Sequence, residues 1–172
     1  GWNFNSISQN LYWIGNGGNW TDPNHWSLSS GGVSVGCIPT KNDNVFFNNN
    51  SFNTSNQTII IDQEVYCKTV DWTGVANSLT IAGNANLNIY GSMILNVSMN
   101  VTYNGNIYFR SNNPGNTIQS FGKSLSSNIS FDGLGGTWAL QDNLTTSASI
   151  ELVTGTLNTN NVTVSANNFL SN

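Results

Sequence analysis

The alternation of apolar and polar residues in this chain recurs at regular intervals. The clearest repeat is a four-residue segment with apolar second and fourth places: NLNI at 86–89, NIYF at 106–109, NISF at 128–131 and SIEL at 149–152. Its copies begin 20, 22 and 21 residues apart, which suits one coil of a β-solenoid and is too short for a β-propeller blade. Alternation places the apolar residues on one face of a strand. We therefore predict one rung per copy, with these residues in single file inside it: Leu87, Ile107, Ile129 and Ile150.

The first place of the repeated segment is also regular. It holds Asn86, Asn106 and Asn128, followed by Ser149. Equivalent positions in stacked coils lie about 4.8 Å apart, so the side-chain amides are predicted to form a ladder in which each donates to the next. The alternative is that asparagine recurs here only because it is abundant in the chain.

Other segments predict further strands of the same coils. A β-branched run at 58–62 is typical of a strand buried on both sides and marks the predicted start of the solenoid. Residues 79–81 recur as 101–103, and residues 93–95 are predicted to stack beneath Ile118, residues 138–140 and Leu157. With about three strands per rung, the fold class is all-β. We predict a parallel β-helix of about five rungs of roughly 20 residues over 58–172, right-handed by the general preference of crossover connections.

Residues 1–57 lack this period and are predicted to form an aromatic β cap at the amino terminus. Turn residues separate short aromatic runs there, and Trp13, Trp20 and Trp26 fall close together. An indole face suits the apolar face of a sugar, so these tryptophans are candidate glycan contacts. The other interpretation is an aromatic plug that closes the first rung.

The two cysteines, Cys37 and Cys67, match no zinc or redox spacing. In a chain this rich in uncharged polar residues, we predict a disulfide between them. Two buried free thiols are the alternative.

The low content of charged residues argues against a nucleic-acid partner. Only 7% of residues are charged, with 4 Lys and Arg against 8 Asp and Glu, so no basic stripe is available for nucleic acid. No segment has the length and purity of a membrane span, and we predict no membrane insertion. A solenoid that stopped at Asn172 would leave an open strand edge, so the native protein is expected to continue or to have a partner at that end.

Candidate catalytic residues are few. His25 is the sole histidine and lies among turn residues, which disfavours a nucleophile–histidine arrangement. Two carboxylate pairs, Asp62 with Glu64 and Asp132 with Asp142, could in principle serve a glycosidase. We predict no catalytic residue, no cofactor and no metal site. A carbohydrate-binding or carbohydrate-cleaving β-helix is the alternative function.

Several short sequence motifs form a characteristic set. In the amino-terminal half they are YWIG at 12–15, GNWTDPNHWS at 18–27, CIPT at 37–40, DNVFF at 43–47 and CKTVDWTG at 67–74. Later in the chain they are GNIYF at 105–109, FDGLGGTW at 131–138 and GTLNTN at 155–160. As a set, these motifs resemble a β-helical module found in very large surface proteins of gliding Bacteroidetes.

The resemblance implies a secreted, adhesin-like protein of the cell surface, linked to gliding motility. It implies Sec transport followed by the type 9 secretion system, although the carboxy-terminal sorting domain of such proteins is absent from these 172 residues. It brings no catalytic residues. The expected function is thus a non-catalytic adhesin or stalk segment. The expected partners are other segments of the same large surface protein, surface or extracellular polysaccharide, and the secretion machinery.

Overall fold

A computed structural model describes residues 7–171 and shows an all-β chain wound into a parallel β-solenoid of about 6 turns. In chain order the strands are β1 (Asn10–Trp13), β2 (Gly18–Asn19), β3 (Trp26–Ser27), β4 (Asn44–Asn48), β5 (Gln57–Ile61), β6 (Val65–Cys67), β7 (Thr69–Gly74), β8 (Leu79–Gly83), β9 (Leu87–Ile89), β10 (Met93–Ile94), β11 (Asn100–Val101), β12 (Ile107–Phe109), β13 (Asn116–Gln119), β14 (Ser124–Leu125), β15 (Ile129–Leu140), β16 (Leu144–Thr146), β17 (Ser149–Asn158), β18 (Val164–Ser165) and β19 (Asn168–Ser171). The helical part of the described chain is one 3-10 turn, Pro23–His25.

Each complete coil contributes one strand to each of three faces. The first face stacks β1, β4, β7, β10, β13 and the second halves of β15 and β17. The second face stacks β6, β9, β12, the first halves of β15 and β17, and β19. The third face holds β2, β5, β8 and β11 in one sheet, and β14, β16 and β18 in another. The prediction of about three strands per rung is confirmed.

The predicted single file of apolar residues is confirmed on the second face. Leu87 pairs with Ile107, Ile107 with Ile129, and Ile129 with Ile150. The file extends by one residue at each end, to Val65 and Phe169. The five members from Val65 to Ile150 are buried, so the solenoid interior is a continuous apolar column.

A second predicted column lies on the first face, where Met93 pairs with Ile118 and Ile118 with Leu140. On the third face the predicted alignment is wrong by two residues. Ile81, rather than Leu79, pairs with Val101. Because side chains alternate with a period of two, a shift by two places keeps the same residues inside, and the apolar pattern alone does not fix the register.

The stack also begins before the predicted boundary at residue 58. Within the predicted cap, β1 pairs in parallel with β4, and β4 with β7, which accounts for a sixth turn. Among residues 7–171 the one antiparallel pair of strands places β3 against the outer edge of β1, with Trp26 opposite Trp13. A short antiparallel strand at this position covers an edge that would otherwise expose unpaired backbone groups.

The long strands β15 and β17 pass from the second face to the first around a glycine-lined corner. Gly135 and Gly155 have φ of 80° and 96° there, as expected for turn positions with positive φ. Gly133 and Gly136 have no room for a side chain, since a Cβ on either residue would lie 2.0 Å from the Ser111 carbonyl oxygen. The corner therefore depends on missing side chains as well as on backbone conformation.

Replacing Ile129 by Asn should unfold several coils together. The substitution places an amide without a partner inside the apolar column and removes a buried side chain, at a cost of about 3–5 kcal/mol. Urea titration followed by circular dichroism and tryptophan fluorescence should show one transition at a lower midpoint. The control is Leu134→Asn, at a corner residue that is 82% exposed, which should leave the midpoint unchanged. Native-like unfolding of the Ile129 variant would contradict the register.

Candidate functional site

The three tryptophans predicted as glycan contacts are core residues. Trp13, Trp20 and Trp26 each have 0% exposure, which contradicts the glycan-contact interpretation because no indole face is open to a sugar. Trp13 and Trp26 pack edge to face with ring centroids 5.0 Å apart. Phe47 continues the cluster and stacks on Trp72 at 3.5 Å. The cluster corresponds to the alternative prediction, an aromatic plug in the first coils.

The predicted disulfide is also not formed. Both cysteines are free: Cys37 is exposed and Cys67 is buried. Cys67 lies in the apolar interior, paired with Ile89 of the next coil, so its thiol points away from the outer surface on which Cys37 lies. Burial strongly raises the pKa of the Cys67 thiol, which keeps it protonated and unreactive.

His25 has a structural role in the first coil. Its imidazole stacks on Trp13 with ring centroids 4.4 Å apart, and its Nδ1 lies 2.6 Å from the Ile14 carbonyl oxygen. Its Nε2 is 3.9 Å from the Asp22 carboxylate. These contacts hold the ring against the plug.

The carboxylates proposed as catalytic pairs are engaged separately. Asp62 accepts hydrogen bonds from Thr21, whereas Glu64 accepts one from Asn88 at 3.1 Å. Asp132 accepts from Thr154. Asp142 lies in a different part of its coil, where Ser120 and Phe121 donate to it. Neither pair forms a two-carboxylate site in the structure.

The outer surface of the second face carries a file of side chains not identified from the sequence. We call this surface the ladder face. Its outward file consists of the middle residues of the stacked strands: Tyr66, Asn88, Tyr108, Ser130, Glu151 and Leu170. Tyr66 is 38% exposed and Leu170 53% exposed, and Tyr108 is half-buried. Two aromatic rings, Tyr66 and Tyr108, are therefore accessible from outside, and Asn88 between them is buried.

The predicted amide ladder is confirmed and borders this file. Asn106 donates to Asn86 at 3.2 Å, and Asn128 donates to Asn106 at 3.0 Å. The Ser149 backbone N–H then donates to Asn128 at 3.2 Å, and Asn168 continues the line to the Ser149 hydroxyl at 3.4 Å. The side chains on neighbouring coils thereby fix one another in place.

The ladder and the outward file enclose a shallow groove of about 260 Å³. Its walls include Asn106, Tyr108, Asn128, Glu151 and Leu170, which belong to four successive coils. A groove that crosses several coils suits an extended ligand better than a compact one. Its lining combines a ring face with amide and carboxylate groups, the mixture that recognises a hydroxyl-rich molecule.

At the amino-terminal end of the ladder face the electrostatics favour an ionised carboxylate. The pKa of Glu64 is lowered, first by the hydrogen bond from Asn88 and then by one from Tyr66. The same contact raises the pKa of Tyr66, whose hydroxyl donates to the carboxylate. A general acid would need a raised pKa, so Glu64 has the properties of a hydrogen-bond acceptor.

The sequence did contain a signal for this surface. The third place of the repeated segment faces outward, and one copy carries Tyr108 there. Tyr66 could not be found in this way, because the segment at 65–67 does not share the amide-first pattern and its alignment became visible only from strand pairing.

Comparisons with protein-family models, with curated proteins and with solved structures found no match for the chain. Within residues 7–171, no helix has the length and hydrophobicity needed to cross a lipid bilayer. In the same part of the chain, no three His, Cys, Asp or Glu side chains come together as potential metal ligands.

The number of reactive thiols checks the cysteine assignment. In the folded protein, a thiol reagent such as dithionitrobenzoate should react rapidly with Cys37 alone, because Cys67 is buried and protonated. In denaturant, without reductant, both thiols should react. If no free thiol were detected in either state, the cysteines would form the disulfide predicted from the sequence. The Cys37→Ser variant should lack the rapid reaction.

Replacing Asn106 by Ala tests the amide ladder. The change removes two donated side-chain hydrogen bonds, to Asn86 and to the Tyr108 hydroxyl, and one accepted from Asn128. It should lower the free energy of unfolding by about 1–3 kcal/mol. Urea denaturation measures the difference. The control is Asn104→Ala, an exposed asparagine of the same coil, for which little change is expected. Equal stability of the two variants would show that the ladder contributes nothing.

Proposed function

We propose that this chain is a segment of a non-catalytic adhesive rod at the cell surface or outside the cell, and that its ladder face contacts polysaccharide. The observation that carries the proposal is the outward file of side chains beside the amide ladder, repeated over successive coils. The amides of the ladder recur at the coil spacing of about 4.8 Å, and the two rings of the file, Tyr66 and Tyr108, lie two coils apart. A polysaccharide likewise offers apolar ring faces and hydroxyl groups at regular intervals.

The rod character is supported by the interior. One apolar file and one amide ladder run through the same coils, so bending the solenoid would open both together. Parallel strands of neighbouring coils satisfy each other's backbone groups. Such a stack can hold binding groups at fixed distances along a length, which is what a stalk or adhesin requires.

The non-catalytic character is supported by how the carboxylates are used. All six aspartates accept hydrogen bonds from the protein: Asp22, Asp43, Asp62, Asp71, Asp132 and Asp142. The Asp62, Asp71 and Asp142 carboxylates each bind a backbone N–H together with a hydroxyl, an arrangement that fixes turns and coil contacts. Glu64 has a lowered pKa, opposite to the requirement for protonating a leaving group.

The proposed partners and location follow from the resemblance to surface proteins of gliding Bacteroidetes. The chain is proposed to contact other segments of the same large surface protein. In this proposal, type 9 secretion machinery exports the chain.

Polysaccharide binding is measured by native affinity electrophoresis in gels that contain neutral or acidic polysaccharides. We expect at least one polysaccharide to retard the protein without release of reducing sugar. Tyr108→Ala should weaken that binding about fivefold to tenfold, the equivalent of about 1–1.4 kcal/mol of ring contact.

The matched control is Tyr12→Ala, which removes a half-buried tyrosine stacked on Phe46 on the first face and should leave binding unchanged. An equal loss of polysaccharide affinity in both variants would show that the ladder face is not the binding surface. Sugar release abolished by Asp132→Asn would replace the proposal by an enzymatic function.

A further inference from the structure

The few basic side chains of this protein are concentrated at one place. The chain has 4 Lys and Arg residues, and three of them, Lys41, Lys68 and Arg110, line one depression of about 260 Å³. Tyr90 lines it as well. We call these four residues the cationic corner, because they lie where the second face turns into the first.

Strand register places three of these residues in line. Lys68, Tyr90 and Arg110 directly follow Cys67, Ile89 and Phe109, which pair with one another across successive coils. Backbone hydrogen bonds continue the alignment: the Tyr90 N–H donates to the Cys67 carbonyl at 2.9 Å, and the Arg110 N–H to the Ile89 carbonyl at 2.8 Å. A cation, an aromatic ring and a second cation therefore succeed one another at the coil spacing of about 4.8 Å.

The positive charge of this corner is not neutralised by ion pairs. Among residues 7–171 no Lys or Arg side chain lies within 4.0 Å of a carboxylate, and the one basic–acidic pair within that distance is His25 with Asp22. Asp43, two residues after Lys41 in the chain, is buried and accepts hydrogen bonds from Gln9 and Thr40 instead. Lys41 and Lys68 are exposed.

Arg110 occupies the carboxy-terminal end of this file. Its guanidinium lies 4.7 Å from the centre of the Tyr108 ring, and its Nε is buried without a hydrogen-bond partner in the described chain. The Glu64 carboxylate interacts electrostatically with Arg110, but it already accepts hydrogen bonds from Asn88 and Tyr66. The next place of the file holds Asp132, which accepts from Thr154. The guanidinium therefore retains donors for an incoming acceptor.

We propose that the cationic corner binds the carboxylate or sulfate groups of an anionic polysaccharide, an inference that rests on the proposed adhesive function and specifies its ligand. Lys68 and Arg110 hold anionic groups of the polymer, and the Tyr90 ring packs against the sugar between them. A guanidinium pairs well with the two oxygens of such groups. Through the contact of Arg110 with Tyr108, the corner continues into the ladder face, so one polymer can contact both.

The overall charge makes this inference specific. The net charge of the chain is −4, which repels a polyanion at long range. Binding of a polyanion therefore requires a local concentration of positive charge, and the cationic corner holds three of the four basic residues.

The test is affinity electrophoresis of the full chain in dextran sulfate, polygalacturonate and unmodified dextran at low salt. We expect retardation by dextran sulfate, by polygalacturonate or by both, and weaker retardation as salt rises. Lys68→Gln with Arg110→Gln should weaken it at least about tenfold. Lys123→Gln is the control for charge, because Lys123 lies elsewhere and donates to the Val97 carbonyl. It should retain wild-type binding. If the double variant does not fold, Lys68→Gln alone is used to test binding, because Lys68 is exposed.

The outcomes separate this inference from the proposed function. Retardation by only one polyanion supports the inference and assigns the anionic group. An equal loss in Lys123→Gln would show a general charge effect and overturn it. Retardation by neutral polysaccharides alone would overturn the inference and leave the adhesive function standing. A chain that binds no polysaccharide of the wider panel would overturn the proposed function itself.

Discussion

Stacking of one coil on the next is the constraint on which the rest of this structure depends. The file from Val65 to Ile150 buries an apolar side chain from each coil against its neighbours. A single coil could bury only part of each side chain, and ordering its backbone would cost more than it gains. The aromatic plug around Trp13 and Phe47 gives the first coils a surface on which the others stack.

Register inside the solenoid determines the pattern outside it. Once Leu87, Ile107 and Ile129 are aligned, the residues before them, Asn86, Asn106 and Asn128, must also align, and their amides meet at hydrogen-bonding distance. The same alignment produces the outward file of the ladder face and the line of residues at the cationic corner. A binding surface can therefore be made by placing suitable residues at equivalent positions of successive coils.

Charge is used sparingly and in two different ways. The aspartates accept hydrogen bonds within the fold, as Asp62 does from Thr21 and Asp142 from Ser120, so much of the negative charge is tied to structure. Most of the positive charge lies at the cationic corner, without ion pairs in the described chain. In a chain with 7% charged residues, this asymmetry gives the surface its most distinctive electrostatic feature and supports an anionic partner.

The sequence by itself determined the all-β class, the length of a coil, the file through Ile107 and Ile129, and the amide ladder, because each follows from residues that recur at a fixed spacing. It placed Ile81 two positions out of register, since alternation has a period of two and β11 is short. It left the exposure of Trp13 undecided and wrongly predicted a disulfide for Cys67, because both depend on which side of the strand faces the interior. Only the tertiary structure brought Lys41, Lys68 and Arg110 together. They belong to different coils, and their spacing in the sequence does not mark them as neighbours, because strand pairing decides which residues meet at the cationic corner.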